Sequence, residues 1–289
     1  SRGGELLRRI ASLRKQLAAD LGLIVPPVHV RDDLRMRPGA YRIMVSGVVA
    51  AEGEVQAARL LAIDATGTAT RGIPGEVVTE PTFGLPAKWL AVSDRSRAEA
   101  AGCTVGDAAA VIATHMTEVI RRHAHELLGR REAQELLDVA ARQDAKVVEE
   151  LIPHIMSLGD VIKVLRNLLR ESVSIRDMRT ILEALADSGA QVKDPGELTE
   201  LVRQRLSRRL SKANAAQDGV LRAIVLDPRA EALFRDGSGR NARALSKLAL
   251  DIEAASRVAV ERDEPALLVV APDIRRGAAG LAGRHIPGL

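Results

Sequence analysis

Apolar residues over positions 5–21 recur at helical spacing: Leu6, Leu7, Ile10, Leu13 and Leu17, with basic residues between them. This stripe predicts one amphipathic helix, stopped at Gly22. Residues 24–30 then read as an edge strand, because Pro26 and Pro27 cannot donate to a ladder. Tyr41, Ile43 and Val45 alternate with Arg42, Met44 and Ser46, the pattern of a strand with one buried face. Turns are expected at Pro38-Gly39 before it and Glu52-Gly53 after it. Residues 60–63 and 89–92 read as two more short strands. The stretch 66–86 between them looks like loop, since it holds Gly72, Pro74, Gly75, Pro81 and Gly84.

From Asp107 the period changes to helical. Asp107 is a candidate N-cap, and Val111, Ile112, Met116, Val119, Ile120, Ala124 and Leu127 recur until Gly129. A second helix over 131–142 presents Ala133, Leu136, Leu137 and Ala140. Ser157-x-x-Asp160 and Ser174-x-x-Asp177 are capping-box variants that open helices running to about 170 and 187. Asp194-Pro195 pairs an N-cap with a proline at the first helical position, starting a helix to about 212. After a linker at 214–219 come a strand at 220–226, a helix at 241–261 and a strand at 267–271. That order favours a small α/β unit with a crossover. The fold class is therefore α+β, with mixed α/β subdomains around a helical one.

Composition refines this picture. The 289 residues suffice for about two domains, and 46% hydrophobic with 28% charged residues is globular rather than disordered composition. Tyr41, Phe83, Trp89 and Phe234 are the only aromatics, so aliphatic side chains fill the cores, which suits several modest subdomains. Forty-two basic against 38 acidic side chains give a net charge of +4, which permits acidic partners without demanding nucleic acid. Four aromatics argue against single-strand binding. The run Arg203, Arg205, Arg208, Arg209 and Lys212 reads as a solvated helix face. No apolar run approaches the roughly 18–20 residues of a membrane span. The lone Cys103 excludes an intrachain disulfide and leaves cytosolic exposure as the default. An opening at Ser1-Arg2-Gly3-Gly4 without Met reads as a piece of a longer chain.

Candidate chemistry is sparse. His123 and His125, two apart on a helix, face different sides. His115 and His123 share a face but stand about 12 Å apart. Without paired cysteines or an H-E-x-x-H run, no metal and no cofactor is expected. Cys103 precedes a helix, where a thiol pKa can fall, or else is a small residue tucked at a strand–helix corner. Gly237-x-Gly239 lacks the third glycine and the preceding strand of a phosphate loop. Arg31-Asp32-Asp33 and Ser174-Ile175-Arg176-Asp177 suit capping and ion pairing rather than acid–base work. No catalytic residue is assigned, and a small thiol or hydrolytic enzyme using Cys103 or a histidine stands as the alternative of another class. One segment stands out: Glu80-Pro81-Thr82-Phe83-Gly84-Leu85-Pro86 places a rare aromatic in a loop fixed by prolines. By composition, Phe83 plugs a seam between subdomains; the competing reading is an anchor for a partner's apolar groove or helix.

Several longer runs together resemble one family. They include Gly4-Glu5-Leu6-Leu7-Arg8-Arg9-Ile10, Pro26-Pro27-Val28-His29-Val30-Arg31-Asp32-Asp33 and Pro38-Gly39-Ala40-Tyr41-Arg42. Glu80 to Trp89, Ala113 to Arg121, His125 to Glu132 and Val173 to Glu183 continue the match. In this order they resemble the cytoplasmic domain of the FlhA/SctV family, the export gate of flagellar and virulence type III secretion, over most of residues 4–210. The resemblance implies an inner-membrane protein whose cytoplasmic part forms a nonameric ring. That part docks export chaperone–substrate complexes and other export-apparatus components, and meets the membrane only through an N-terminal part outside this chain. It also implies four subdomains. These are a discontinuous α/β one (1–58 with 107–127), an inserted ferredoxin-like one (59–106), a helical one (128–212) and a C-terminal α/β one (213–289) lacking its last strand.

For chaperone binding, the family's acidic position falls on Glu80, expected as a charge at the rim. Its groove phenylalanine falls on Phe83 and its helix threonine on Thr114, with Val111 sharing the helix face of Thr114 as an apolar patch. The resemblance thus reverses the reading of Phe83 from plug to anchor. Relatives usually carry an aromatic at Cys103 and a larger aliphatic at Gly106, so Gly106 thins the apolar wall. The flagellar version is preferred, with the virulence SctV type as the alternative.

Overall fold

Helix α1 (Arg2–Leu21) carries the expected stripe, with Ile10, Leu13, Leu17 and Leu21 buried along one side. This computed structural model describes residues 2–64, 69–216, 218–236, 241–262, 264 and 266–285. Gly22 ends α1 at φ +75°, a conformation open mainly to glycine. A side chain there would also meet the backbone nitrogen of Arg176 at 2.3 Å. Beside it the Ile175 N–H donates to the Leu21 carbonyl at 2.8 Å. The close approach of two backbones thus explains why this stop is a glycine.

Residues 24–30 form no strand, contrary to expectation. Pro26 and Pro27 remove two donors, and the Val25 carbonyl is taken by the Arg14 guanidinium at 2.7 Å. Strands β1 (Ala40–Val45) and β2 (Val48–Glu54) make an antiparallel hairpin, with Ile43 and Val45 buried as the alternation requires. Its turn is Ser46-Gly47, both at positive φ, which suits the twist of a two-residue hairpin. Glu52-Gly53, expected as a turn, lies within β2, where Gly53 opposes Tyr41.

The second sheet holds β3 (Leu60–Ile63), β4 (Glu76–Thr79), β5 (Pro86–Leu90) and β6 (Thr104–Asp107), with helix α2 (Arg95–Ala100) between β5 and β6. Its order is β4-β5-β3-β6, all antiparallel. This is the strand order of a split β-α-β-β-α-β motif, but among the described residues the link from β3 to β4 holds no helix, and α2 is the one α-helix of the unit. Strand β4 corrects the loop expected over 66–86, and β5 begins three residues before the strand expected at 89–92. Both faces of the sheet are covered. Leu61, Ala87 and Trp89 pack with Val111 on one side, while Ala62 and Leu90 pack with Ile73, Ala98 and Cys103 on the other.

Helix α3 (Ala108–Arg122) follows directly, its cap Asp107 accepting from the Ala110 N–H at 2.7 Å. It packs along α1, bracketed by Arg9–Asp107 at 3.0 Å and Arg121–Asp20 at 2.9 Å. These half-exposed ion pairs set alignment more than stability. The helix breaks at His123, and a short α4 (Ala124–Leu127) completes the run expected as one helix.

Next come α5 (Arg130–Gln143), α6 (Ala145–Glu149), an irregular turn at Glu150–Ile155, α7 (Leu158–Arg170) and α8 (Met178–Ser188). The most deeply packed is α7, burying Val161, Ile162, Val164, Leu165, Leu168 and Leu169. Ser157 caps it and donates its hydroxyl to the Asp160 carboxylate at 2.7 Å. Helix α8 starts later than Ser174 suggests, because Asp177 does the capping, accepting from the Thr180 N–H at 3.3 Å.

The chain divides into two units, Ser1–Leu182 and Glu183–Leu289. In the second, α9 (Pro195–Arg205) is capped by Asp194 as expected, but breaks at Leu206 before α10 (Ser207–Asn214). Strands β7 (Ile224–Val225) and β8 (Leu268–Val269) pair in parallel across α11 (Pro228–Arg235) and α12 (Ala242–Glu261). A final helix, α13 (Arg275–His285), follows. Leu226, Ile252 and Ile274 form the core, and Arg275 bonds Glu200 at 2.6 Å in a mostly buried pair. Small separate sheets with helices throughout make the fold α+β.

Gly22→Ala is expected to destabilise the chain by about 2–4 kcal/mol, from left-handed strain plus the backbone clash. Urea unfolding of the variant against the parent measures it.

Candidate functional site

The loop joining β4 to β5 is closed by its own backbone. Glu80 N–H donates to the Leu85 carbonyl at 2.8 Å, and Gly84 N–H returns to the Glu80 carbonyl at 3.0 Å. Gly84 supplies the positive φ, +71°, that this tight return requires. Inside the loop the Glu80 carboxylate accepts two further bonds, from Thr82 N–H at 2.8 Å and Phe83 N–H at 2.7 Å. Phe83 is turned outward and is 59% exposed. The Phe83 ring is not a seam plug.

Glu80 itself is only 2% exposed. This corrects the expectation of a charge at the rim: with two backbone amides as partners, the carboxylate is drawn beneath the loop. Val111 is also sealed, at 6% exposure, against Leu61, Ala87 and Trp89. It is core, one turn below an exposed Thr114 on α3. At Gly106 a side chain would stand 3.3 Å from the Ala110 Cβ, so α3 already occupies part of the space that a larger residue would take.

Two residues that the motif reading left unassigned complete the arrangement. Tyr41 of β1 and His115 of α3 meet edge to face, with Oη and Nδ1 2.7 Å apart. Gly53 opposite Tyr41 leaves room for the phenol, since a Cβ there would come within 2.5 Å of Oη. Burial, then the charge of Glu80, pushes the Tyr41 phenol well above its ordinary range. Burial lowers the His115 imidazole, opposed by Glu80 and Glu118 and assisted by Arg122. A protonated phenol beside a neutral ring donates to Nδ1, which assigns the ring proton to Nε2. Both groups feel the charge of Glu80. A sequence signal for this pair existed: a single tyrosine on the buried side of an alternating strand, and a histidine within an apolar helix stripe.

Cys103 is buried between α2 and β6, and burial followed by the charge of Asp64 raises its thiol pKa. That is the reverse of an activated nucleophile.

Fold and site define the class: a mosaic α+β protein whose distinctive surface is a braced loop carrying one outward aromatic. The chain belongs to the FHIPEP family, whose profile matches residues 1–289. The flagellar biosynthesis protein FlhA of Bacillus subtilis is 37% identical over 299 residues, covering 100% of this chain and 44% of the relative. The chain thus spans less than half the length of that relative. Among solved structures, the Chlamydia pneumoniae CdsV protein in complex with CdsO matches at 25% identity and TM-score 0.80, over 96% of this chain and 85% of that one. Nonameric SctV-C from EPEC matches in fold at 20% identity and TM-score 0.75, over 99% and 88%. Membership of this non-enzymatic family removes the thiol or histidine enzyme alternative.

The lowered His115 sets a pH dependence. Below its ordinary value of 6.5 the unfolded chain binds this proton while the folded chain resists it, so stability falls as pH drops toward the lowered folded value. His115→Gln is expected to flatten part of that decline between about pH 7.5 and about pH 5.5 in urea titrations. His125, likewise lowered by burial first, accounts for a further share.

Proposed function

We propose that this chain is the cytosolic part of an inner-membrane export gate of the flagellar type, and that it docks export chaperone–substrate complexes at the loop carrying Phe83. The observation that carries this reading is an aromatic side chain 59% exposed on a loop closed by its own hydrogen bonds. Such a preorganised aromatic is the kind of anchor around which binding energy concentrates. In this reading exposed Thr114 on α3 adds a hydroxyl to the docking surface, while Glu80 and Val111, both buried, support it from below rather than touching the visitor. The four-part organisation implied by the resemblance belongs to this reading. So do assembly into a nonameric ring, supported by the ring of SctV-C, and contact with other export-apparatus components, supported by the CdsV–CdsO complex.

Phe83→Ala is expected to weaken binding of a chaperone–cargo complex at least about tenfold, the loss of a modest hot spot, in calorimetric titration. Its thermal midpoint should stay within about 2 °C of the parent, because an exposed ring contributes little to folding. Unaltered binding with a large drop in midpoint would refute the anchor. Titrating filament-protein and hook-protein chaperones in parallel separates the flagellar from the virulence type.

A further inference from the structure

Glu80 presents a physical problem. Its carboxylate is 2% exposed, and among the described residues no cation bridges to it. A buried anion without a cation needs dipoles in place of water. The donors at hand are the amides of Thr82 and Phe83, at 2.8 and 2.7 Å. Loop conformation and the burial of this charge are therefore coupled: any backbone state that turns those two N–H groups away leaves the carboxylate unsolvated. The same two amides determine where the chain points at residue 83.

We propose that Glu80 is a positioning residue: its buried carboxylate, accepting from the Thr82 and Phe83 amides, clamps residues 82–83 in the conformation that turns the Phe83 ring outward. Thr82 marks how firmly the loop is folded inward, since its hydroxyl oxygen is buried without a hydrogen-bond partner among the described residues. The inference deepens the docking reading and rests on it for the consequence, which is that a rigid loop meets its partner at lower entropic cost. The clamp itself does not depend on any partner.

Amide hydrogen exchange read by NMR on the intact chain tests the clamp directly. Glu80→Gln turns one donor edge toward two donors and keeps at most one bond. Exchange at Thr82 or Phe83 is expected to quicken at least about tenfold, while the Leu61 and Ala87 amides in the strands stay unchanged. Glu80→Asp restores protection, because a short carboxylate accepts readily from amides two and three residues ahead. Unchanged exchange in Glu80→Gln overturns the proposal. Should that variant not fold, the parent chain decides: its Thr82 and Phe83 amides are expected to exchange at least about tenfold more slowly than unprotected loop amides, and unprotected rates there overturn the proposal equally.

Binding supplies the second arm, with a filament-protein chaperone loaded with its cargo as the probe. The loss in Glu80→Gln should be equal at low and high salt and should vanish on a Phe83→Ala background. A loss that salt erases, and that adds to Phe83→Ala, makes Glu80 a contacting charge and overturns the clamp. Absence of binding to the parent chain would sink the docking reading alone, leaving the exchange rates to judge the clamp.

Discussion

A carboxylate shut away from water and bonded to two amides of its own loop is the constraint on which the candidate site depends. It folds the β4–β5 connection onto its own carboxylate through the amides of Thr82 and Phe83, and its charge is felt by Tyr41 of β1 and His115 of α3, which bond each other. Burial, then the charge of Glu80, raises the Tyr41 phenol, and burial lowers His115, so the protonated phenol donates to the neutral ring. The outward aromatic is thus the visible end of a buried carboxylate–amide contact. Buried polar groups help specify one conformation when they are satisfied.

The surroundings explain how a chain with so few aromatics affords that rigidity. The four-stranded sheet is covered on both faces by small aliphatic clusters. Its one large aromatic, Trp89, sits on the side facing Val111 of α3. The helix is aligned in turn by ion pairs to α1 at both ends, and α1 is pinned at Gly22 against residues 175–176. Each support is modest; their succession leaves the loop little freedom.

Much of this was legible in the residues. Strong periodicity placed α1, α3 and α12, and caps such as Asp107, Ser157 and Asp194 marked helix starts to the residue. Weak local signals failed where pairing decides the outcome. Strand β4 is four residues among glycines and prolines, and becomes a strand only because β5 lies beside it. The hairpin turn fell at Ser46-Gly47 rather than Glu52-Gly53, since register is set by the partner strand and not by glycine alone. Helix α11 went unread although Asp227-Pro228 repeats the signature of Asp194-Pro195. At the site, Phe83 stood out through rarity and flanking prolines. The depth of Glu80 and Val111 was invisible, because burial is a property of the assembled sheet and helix.

The single indole of the chain has a practical meaning. Trp89 lies in β5, three residues beyond the start of that strand, and is itself buried. Light absorbed at the red edge of the protein band therefore excites one place only, the sheet beneath the candidate site. The molecule carries its own optical label there, so changes in the packing under the loop can be followed in solution without attaching a dye.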